Sequence, residues 1–530
     1  MGEMIDPELY EEFRKSLCQS DPRLKDPNYS TSPSTSAWHP WHRAKPRVVA
    51  LHVGLNGAFG PATEYQDPNV LQAHLKNSIR SKTTPQRSVY ILEALSQDFA
   101  AVLGTHFQLH PALFVDHERL VPFNNRATGE GGGIPFLPSA IHGRDHISLK
   151  YHEPMLLSTL PTDFRNICEV SGRHIAVTRI MGKLSEVAIA RRKCTIWSRK
   201  TELGGWDCES ALYVGCQDGF IDIIGLIICD PPIKRVLTDY SGKTSYNVTT
   251  SPYNAGYVDF VPQENQMKSR SGPPRTSILD DIIFYLQTHS DSLNLADPVS
   301  LRVFIEKIAA NHYLKLAEFL QTVIETVQFN LSRQQDLTSF AIAAVEEQWS
   351  DVQALERRIG EYKDDLEAIM LQLRIPFDNP NLKYTADWKD SIPDYQFLYL
   401  RFKEIGQRTN GLNGSTAALA GLTNNRQAVR AQELALEATE RSIREAKSVK
   451  ALTILGLIFI PLAYVSSLFS MSDKYRPGER LFWVYLVVAF PLIGLIVLGY
   501  YTLELGYTGG GMKWSFRTTI KTAKEKFTLH

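Results

Sequence analysis

Three histidines and two carboxylates fall close together in the sequence: His106, His110, Asp116, His117 and Glu118. These side-chain types can hold a transition metal. Their spacing is not the HExxH pattern that puts two imidazoles on one helical face, so a metal site is not the preferred reading. Gly129-Glu-Gly-Gly-Gly133 has the glycine content of a phosphate loop but no Lys-Ser or Lys-Thr after it, and reads as a flexible loop. Asp280-Asp281 and Asp364-Asp365 could pair carboxylates around a regulatory cation between subunits. Solvated helix faces are the preferred reading of both. No Ser or Cys stands at a diagnostic spacing from a base. The chain is therefore not read as an enzyme, and no cofactor is assigned.

The elements around these residues point elsewhere. Ala451 to Ser472 and Leu481 to Leu503 are apolar runs without a charged residue. Each is about 20 residues, enough as helix to cross a hydrocarbon core of about 30 Å. The polar break between them, 473–480, is too short for a domain. The pair reads as a helical hairpin in a membrane.

Totals agree with one membrane hairpin on a larger soluble body. The chain has 530 residues, with Lys+Arg and Asp+Glu equal at 57 each, so it has no basic footprint for nucleic acid. Six cysteines (Cys18, Cys168, Cys194, Cys208, Cys216, Cys229) have no zinc-site spacing and read as reduced cytosolic thiols. The N-terminus has no apolar signal segment. Arg441, Arg444, Lys447 and Lys450 precede the first run, and Lys513, Arg517, Lys521, Lys524 and Lys526 follow the second. This excess on both outer flanks predicts a two-pass protein with both termini in the cytosol.

The order of segments follows. Residues 1–45 are polar, with a Ser-, Thr- and Pro-rich stretch from Asn28, and read as a disordered tail. Residues 46–232 read as a cytosolic α/β domain. A β-branched run starts at Arg47, a helix is expected over Ser88–Leu103, and strands over Ser148–Leu157, His174–Met181, Glu186–Trp197 and Gly219–Cys229. Residues 233–274 read as a flexible linker. Residues 275–424 read as helical, with helices over Ser277–Thr288, from Asp297-Pro298 to Ser332, over Leu337–Leu373 and over Ser391–Ile405. Gly411, Gly414 and Gly421 interrupt the expectation of continuous helix. From Asn425 no Gly or Pro occurs before the membrane run, so 425–472 reads as one stalk helix entering the membrane. An external loop (473–480), a second membrane helix (481–503) and a basic cytosolic tail (504–530) complete the chain. The fold class is α+β, a mixed sheet with helices, plus a long helical stalk and two C-terminal transmembrane helices.

The stalk carries a stripe at three- and four-residue spacing: Ala431, Leu434, Ala438, Ser442, Ala446, Val449, Leu452/Thr453, Gly456, Ile460, Ala463, Ser467, Met471. In its membrane half the small residues Gly456, Ala463 and Ser467 permit close helix approach. The spacing fits a packing seam or the wall of an oligomeric pore.

The segment KALTILGLIFIPLAYVSSLFSMS resembles the first membrane helix of the CorA family of divalent-cation channels, in its divergent fungal and zinc-transporting branch. Lys450, Leu452-Thr453, Ile458-Phe459, Pro461-Leu462 and Ser466-Ser467 carry the resemblance. Leu109 to His117, LHPALFVDH, is similar to the family's N-terminal LHPL element, which makes Leu109-His110-Pro111 a structural turn. The order of segments also fits. The resemblance implies a homopentamer in lipid that passes magnesium or zinc through a pore lined by the first membrane helix. Carried over by position, Val449, Leu452, Thr453, Gly456, Ile460, Ala463 and Ser467 would line that pore, and the plasma membrane is the favoured location. Where the family keeps Gly-Met-Asn as its cation-selectivity loop, this chain has Ser470-Met471-Ser472. Its external loop holds Lys474, Arg476 and Arg480 against Asp473 and Glu479, where the family tends to be acidic. The alternative reading is therefore a membrane-tethered sensor or interaction protein that keeps the fold without conducting.

Overall fold

A computed structural model describes residues 7–20, 24, 45–54, 57–80, 87–118, 145–159, 166–180, 183–202, 221–238, 245–262, 272–294, 297–333, 339–380, 387–471, 474 and 477–507. The chain divides into two compact units, Met1–Gly421 and Leu422–His530.

The first unit is built on a mixed sheet. Its described strands are β1 Arg47–His52, β2 Thr63–Tyr65, β3 Arg87–Glu93, β4 His146–Leu157, β5 Asn166–Cys168, β6 His174–Ile180, β7 Lys183–Glu202, β8 Ile221–Cys229, β9 Arg235–Leu237, β10 Ser245–Asn247 and β11 Thr250–Pro252. They run in the order β10-β9-β5-β6-β7-β8-β3-β1-β2, with β4 on β7 and β11 on β4. The β3–β8 pair is parallel, Val89 opposite Gly225 and Ile91 opposite Ile227. The other ladders are antiparallel.

The long strand β7 is where the sheet forks. Along one edge it pairs with β4 without a break, from Val187 to Trp197. Along the other edge it pairs with β6 up to Ala190 and with β8 from Cys194. Arg191, Arg192 and Lys193 lie between these ladders and have no strand on that side. A buried N–H without an acceptor costs on the order of 1–3 kcal/mol. The Lys193 N–H is met by the Asp230 carboxylate at 2.7 Å.

Three expectations are corrected here. The helix expected over Ser88–Leu103 is β3 followed by the helix α3, Gln97–Phe107. Val89 to Leu92 are all buried, as in a strand covered on both faces, and such a run has no polar side to distinguish it from a buried helix. Ala94 breaks the strand at φ 65°, and the Ser96 hydroxyl caps α3 by accepting from the Phe99 N–H at 3.3 Å. The segment expected as a disordered tail contains α1, Pro7–Ser20, whose Tyr10 and Arg14 are buried. The Tyr10 hydroxyl donates to the Leu109 carbonyl. Residues 1–6, 21–23 and 25–44 of that segment lie outside the described residues. The expected linker 233–274 contains β9, β10 and β11, three short strands joined to the sheet by β5 and β4.

Helices cover both faces of the sheet. Val48, Ala50, Tyr90, Leu92, Leu226 and Ile228 form one core with α2, Pro68–Arg80, and α3. Val49, Leu51, Val89, Ile91, Ile227 and Tyr151 form a larger one with the C-terminal helices. These are α5 Ile278–Thr288, α6 Arg302–Arg333, α7 Ser339–Leu373 and α8 Ile392–Phe469, numbered after the short α4, Ala112–Glu118. Ser277 caps α5, accepting from the Asp280 N–H at 3.1 Å, and Asp297 caps the 3₁₀ turn before α6. The Lys363–Glu367 pair expected on α7 forms at 3.1 Å.

Helix α8 continues through Gly411, Gly414 and Gly421 without interruption. Each glycine costs about 1 kcal/mol against alanine in a helix interior. Burial of Leu412, Thr416 and Ala420 at i, i+4 spacing opposes that cost. Asn413 adds two bonds, accepting from Trp349 Nε1 at 2.9 Å and donating to Glu356 at 2.5 Å. The helix thus starts well before the expected stalk boundary at Asn425.

Candidate functional site

In the second unit α8 runs on to Phe469, and after the break the chain forms α9, Phe482–Tyr507. Both helices contain a stretch long and apolar enough to cross a membrane, with mean hydropathy 2.1 and 2.4. On α8, Pro461 and Val465 are buried and Ile454, Leu457 and Phe469 half-buried. On α9, Ala489 is buried and Phe482, Tyr485 and Ile493 half-buried. Phe469 meets Tyr485 edge-on, with ring centroids 6.1 Å apart. These positions recur every three or four residues, so each helix turns one face to the other.

The stripe is on a different side. At about 100° per residue, 449, 453, 456, 460, 463 and 467 share one face, and 454, 457, 461 and 465 centre about 125° round the helix from it. Val449, Leu452 and Ile460 are 62%, 72% and 72% exposed. Thr453, Ala463 and Ser467 are exposed and Gly456 half-buried. Thr453 Oγ1 donates back to the Val449 carbonyl at 2.8 Å, which leaves its lone pairs outward. Between residues 424 and 453 every residue is exposed, including Val429, Leu434, Leu436 and Ile443. A single chain leaves all of this surface uncovered.

The tip is a helix end. The Ser470 N–H completes the last α-helical bond, to the Ser466 carbonyl at 2.9 Å, and Met471 is 85% exposed. Carbonyls at a helix C-terminus lack N–H partners and carry the negative end of the helix dipole, which favours a cation. Ser472 and Asp473 lie outside the described residues, as do Tyr475 and Arg476.

Comparison with known proteins adds nothing to this geometry. No protein-family model matches the chain, and no curated protein does. The functional reading therefore rests on the hairpin's own residues and their arrangement.

The histidines and carboxylates of the first unit are dispersed into separate roles. His110 Nδ1 accepts from the Ala112 N–H at 3.1 Å and shapes the turn before α4. His106 packs edge-on against Phe107, with centroids 4.7 Å apart. His117 is buried, with Nδ1 3.0 Å from Thr195 Oγ1 and Nε2 3.5 Å from Asp230. Asp116 faces His146 at 3.0 Å. Among the described residues no three His, Cys, Asp or Glu gather in a way that could hold a metal ion.

Sequence reading missed the charge cluster at the sheet fork. Asp230 is fixed by Arg173 Nε at 2.5 Å, and Arg173 Nη2 donates to the His117 carbonyl at 2.6 Å. Lys193 Nζ donates to the Asp116 carbonyl. These charges hold the Asp230 carboxyl well below the usual carboxylate range, and burial lowers Lys193 to about 7. The signal was present in Arg191-Arg192-Lys193, three cations in the middle of a buried strand, which demand carboxylates. Neither Asp281 nor Asp365 is the solvated residue expected. Asp281 is 3% exposed, accepting from the Tyr257 hydroxyl at 2.8 Å and the Arg275 N–H at 2.7 Å. Asp365 binds Lys150 at 2.7 Å and His152 at 2.8 Å.

The buried histidines of these two groups predict an acid-labile fold. Burial lowers His117 and His152 to about 4, against an ordinary 6.5. As pH falls from 6.5 to 4, the unfolded chain takes up these two protons and the folded chain does not, so stability falls. Each histidine accounts for at most about 3 kcal/mol. Asp281, raised to about 6 by burial, works the other way over much of the same window, because its folded form holds the proton longer. The net expectation is a loss of about 3 kcal/mol between pH 6.5 and 4. Thermal melts of the full chain at those two pH values check it, and His152→Gln should flatten the profile.

Proposed function

We propose that the chain is one subunit of a CorA-like channel that passes divalent metal ions, magnesium or zinc, through a homo-oligomeric pore. The observation that carries the reading is the uncovered stripe on α8, directed away from α9 and continuous with the wholly exposed stretch before it. Several copies, five by the family resemblance, would bury that stripe against a common axis. The hairpin would cross the membrane twice with both termini in the cytosol, in the plasma membrane. Transport is passive: each elementary charge crossing a potential of 100 mV gains about 2.3 kcal/mol, and a divalent ion gains twice that.

In this arrangement Val449, Leu452 and Ile460 form apolar rings that close the pore by excluding water. Thr453 and Ser467 offer hydroxyl oxygens to a hydrated ion, and Gly456 and Ala463 leave room for one. The carbonyls of Ser470 and Met471 would meet the ion at the outer mouth. Magnesium gives up water reluctantly, so contacts to its hydration shell suit it there. The first test is assembly size: light scattering of the full chain in detergent should return an oligomer, and a monomer would refute the pore.

A second reading has its own support. Ser470-Met471-Ser472 lacks the Asn amide of the family loop, and the 473–480 segment carries three basic residues to two acidic. Both weaken cation capture. A sensor that keeps the fold without conducting would pass no divalent ion in vesicles, while the Ser470→Gly, Ser472→Asn double variant would. The channel reading expects flux from both proteins, with the double variant the faster.

A further inference from the structure

The first unit contains a cavity of about 350 Å³ that the channel reading does not use. Its size falls in the range of small-molecule sites, about 300–1,000 Å³. The β4–β7 pair contributes Tyr151, Glu153 and Arg192; the start of α5 and the turn before it contribute Arg275, Thr276 and Asp281.

Most of the charged groups around it are already paired. Asp281 is held by Tyr257 and the Arg275 N–H, and Asp230 by Arg173 and the Lys193 N–H. Arg192 donates from Nε to Glu153 Oε2 at 2.8 Å and from Nη1 to the Pro231 carbonyl at 2.8 Å. Among the described residues no hydrogen bond is made by Arg192 Nη2 or Glu153 Oε1, and neither is among the buried atoms sealed off without a partner, so both stay accessible. The Arg192 side chain is only 8% exposed and that of Glu153 24%. One ion pair thus presents a spare guanidinium donor beside a spare carboxylate acceptor, in a cavity both residues line. His312 lines it too. It stacks on Tyr151 with centroids 5.0 Å apart and meets Tyr257 edge-on at 5.5 Å. Burial lowers its pKa, so it is an uncharged part of the wall.

We infer that this cavity binds a small zwitterion of free amino-acid type, its carboxylate on Arg192 and its ammonium on Glu153. A simple anion would meet the carboxylates of Glu153, Asp230 and Asp281, and a simple cation would meet Arg192 and Arg275. A molecule carrying both charges on one carbon offers a partner to each half of the ion pair. Met155, Pro252 and Ile278 supply apolar wall for its side chain. Charge-assisted bonds are roughly twice as strong as neutral ones.

The test uses the purified full chain in detergent, titrated with each proteinogenic L-amino acid by calorimetry. The same titration is run with the primary amine and the carboxylic acid that each lack one of the two charges. At least one amino acid should bind saturably and raise the melting temperature, and its single-charge analogues should not. Glu153→Gln should weaken that binding about tenfold or more. Thr276→Trp fills the exposed rim without touching the ion pair and should abolish it, which decides the matter if Glu153→Gln does not fold. Absence of binding by every amino acid, equal binding of a single-charge analogue, or binding that survives Thr276→Trp would overturn the assignment.

Discussion

Gly456→Trp is expected to reduce divalent-ion flux by roughly tenfold or more while leaving the subunit folded. A Cβ built on Gly456 meets only Ile460 Cδ1 of its own helix, at 3.9 Å, which is ordinary contact, so the backbone at this position accepts a side chain. Replacing glycine also raises helix propensity by up to about 1 kcal/mol. In the proposed oligomer the same position faces the axis, and an indole from every copy would fill it. Leu455→Trp is the control. Leu455 is 51% exposed and lies about 120° round the helix from the stripe, so flux should not change. Val465→Trp should fail differently, because Val465 is 3% exposed on the face turned to α9 and the hairpin itself would be disrupted. Ion uptake into vesicles, with oligomer size measured beside it, distinguishes the three. Unchanged flux through Gly456→Trp would remove the stripe from the pore.

Asp230→Ala should be the most damaging single change in the first unit. Asp230 is 4% exposed, pairs with Arg173 and accepts the Lys193 N–H where the sheet forks. Removing one partner of a buried ion pair costs about 3–5 kcal/mol, because the other charge stays buried and uncompensated. Loss of the acceptor for a buried N–H adds to this. Against a total stability of about 5–15 kcal/mol, the melting temperature should fall by on the order of 10 °C or the unit should not fold. Asp230→Asn keeps an oxygen for Lys193 N–H and should cost less. A melt of Asp230→Ala within about 2 °C of the native protein would show that the fork is held by something else.

How much of this was legible in the sequence depended on whether local pattern or distant contact decides the structure. The strands β4, β6, β7 and β8 overlap the four expected runs, most of them rich in Ile and Val and set off by turn residues, with β7 reaching further, to Glu202. Asp297 caps where the Asp297-Pro298 pair marked a helix start. The hairpin was visible as two uncharged runs. β3 was misread because a strand buried on both faces has no alternation to display. α1 and the strands β9 to β11 were missed for a related reason: short polar segments acquire structure from the sheet and helices they join. The glycines of α8 were read as a break, but Leu412, Asn413 and Thr416 anchor that stretch through contacts that local propensity does not contain. Asp281 and Asp365 look in sequence like any acid on a helix. Only Tyr257 and Arg275 on one, and Lys150 and His152 on the other, make them internal. Of the candidate pore residues, spacing identified the face, and the structure places that face away from α9. Of the proposed selectivity loop, Ser470 and Met471 are described and Ser472 falls outside the described residues.

The most direct measurement is potential-driven uptake of magnesium and of zinc into vesicles that carry the native full-length protein, against vesicles without it. The channel account predicts saturable entry of at least one of the two ions, faster as the interior is made more negative. No entry of either ion above empty vesicles, from protein shown to be oligomeric, would contradict it.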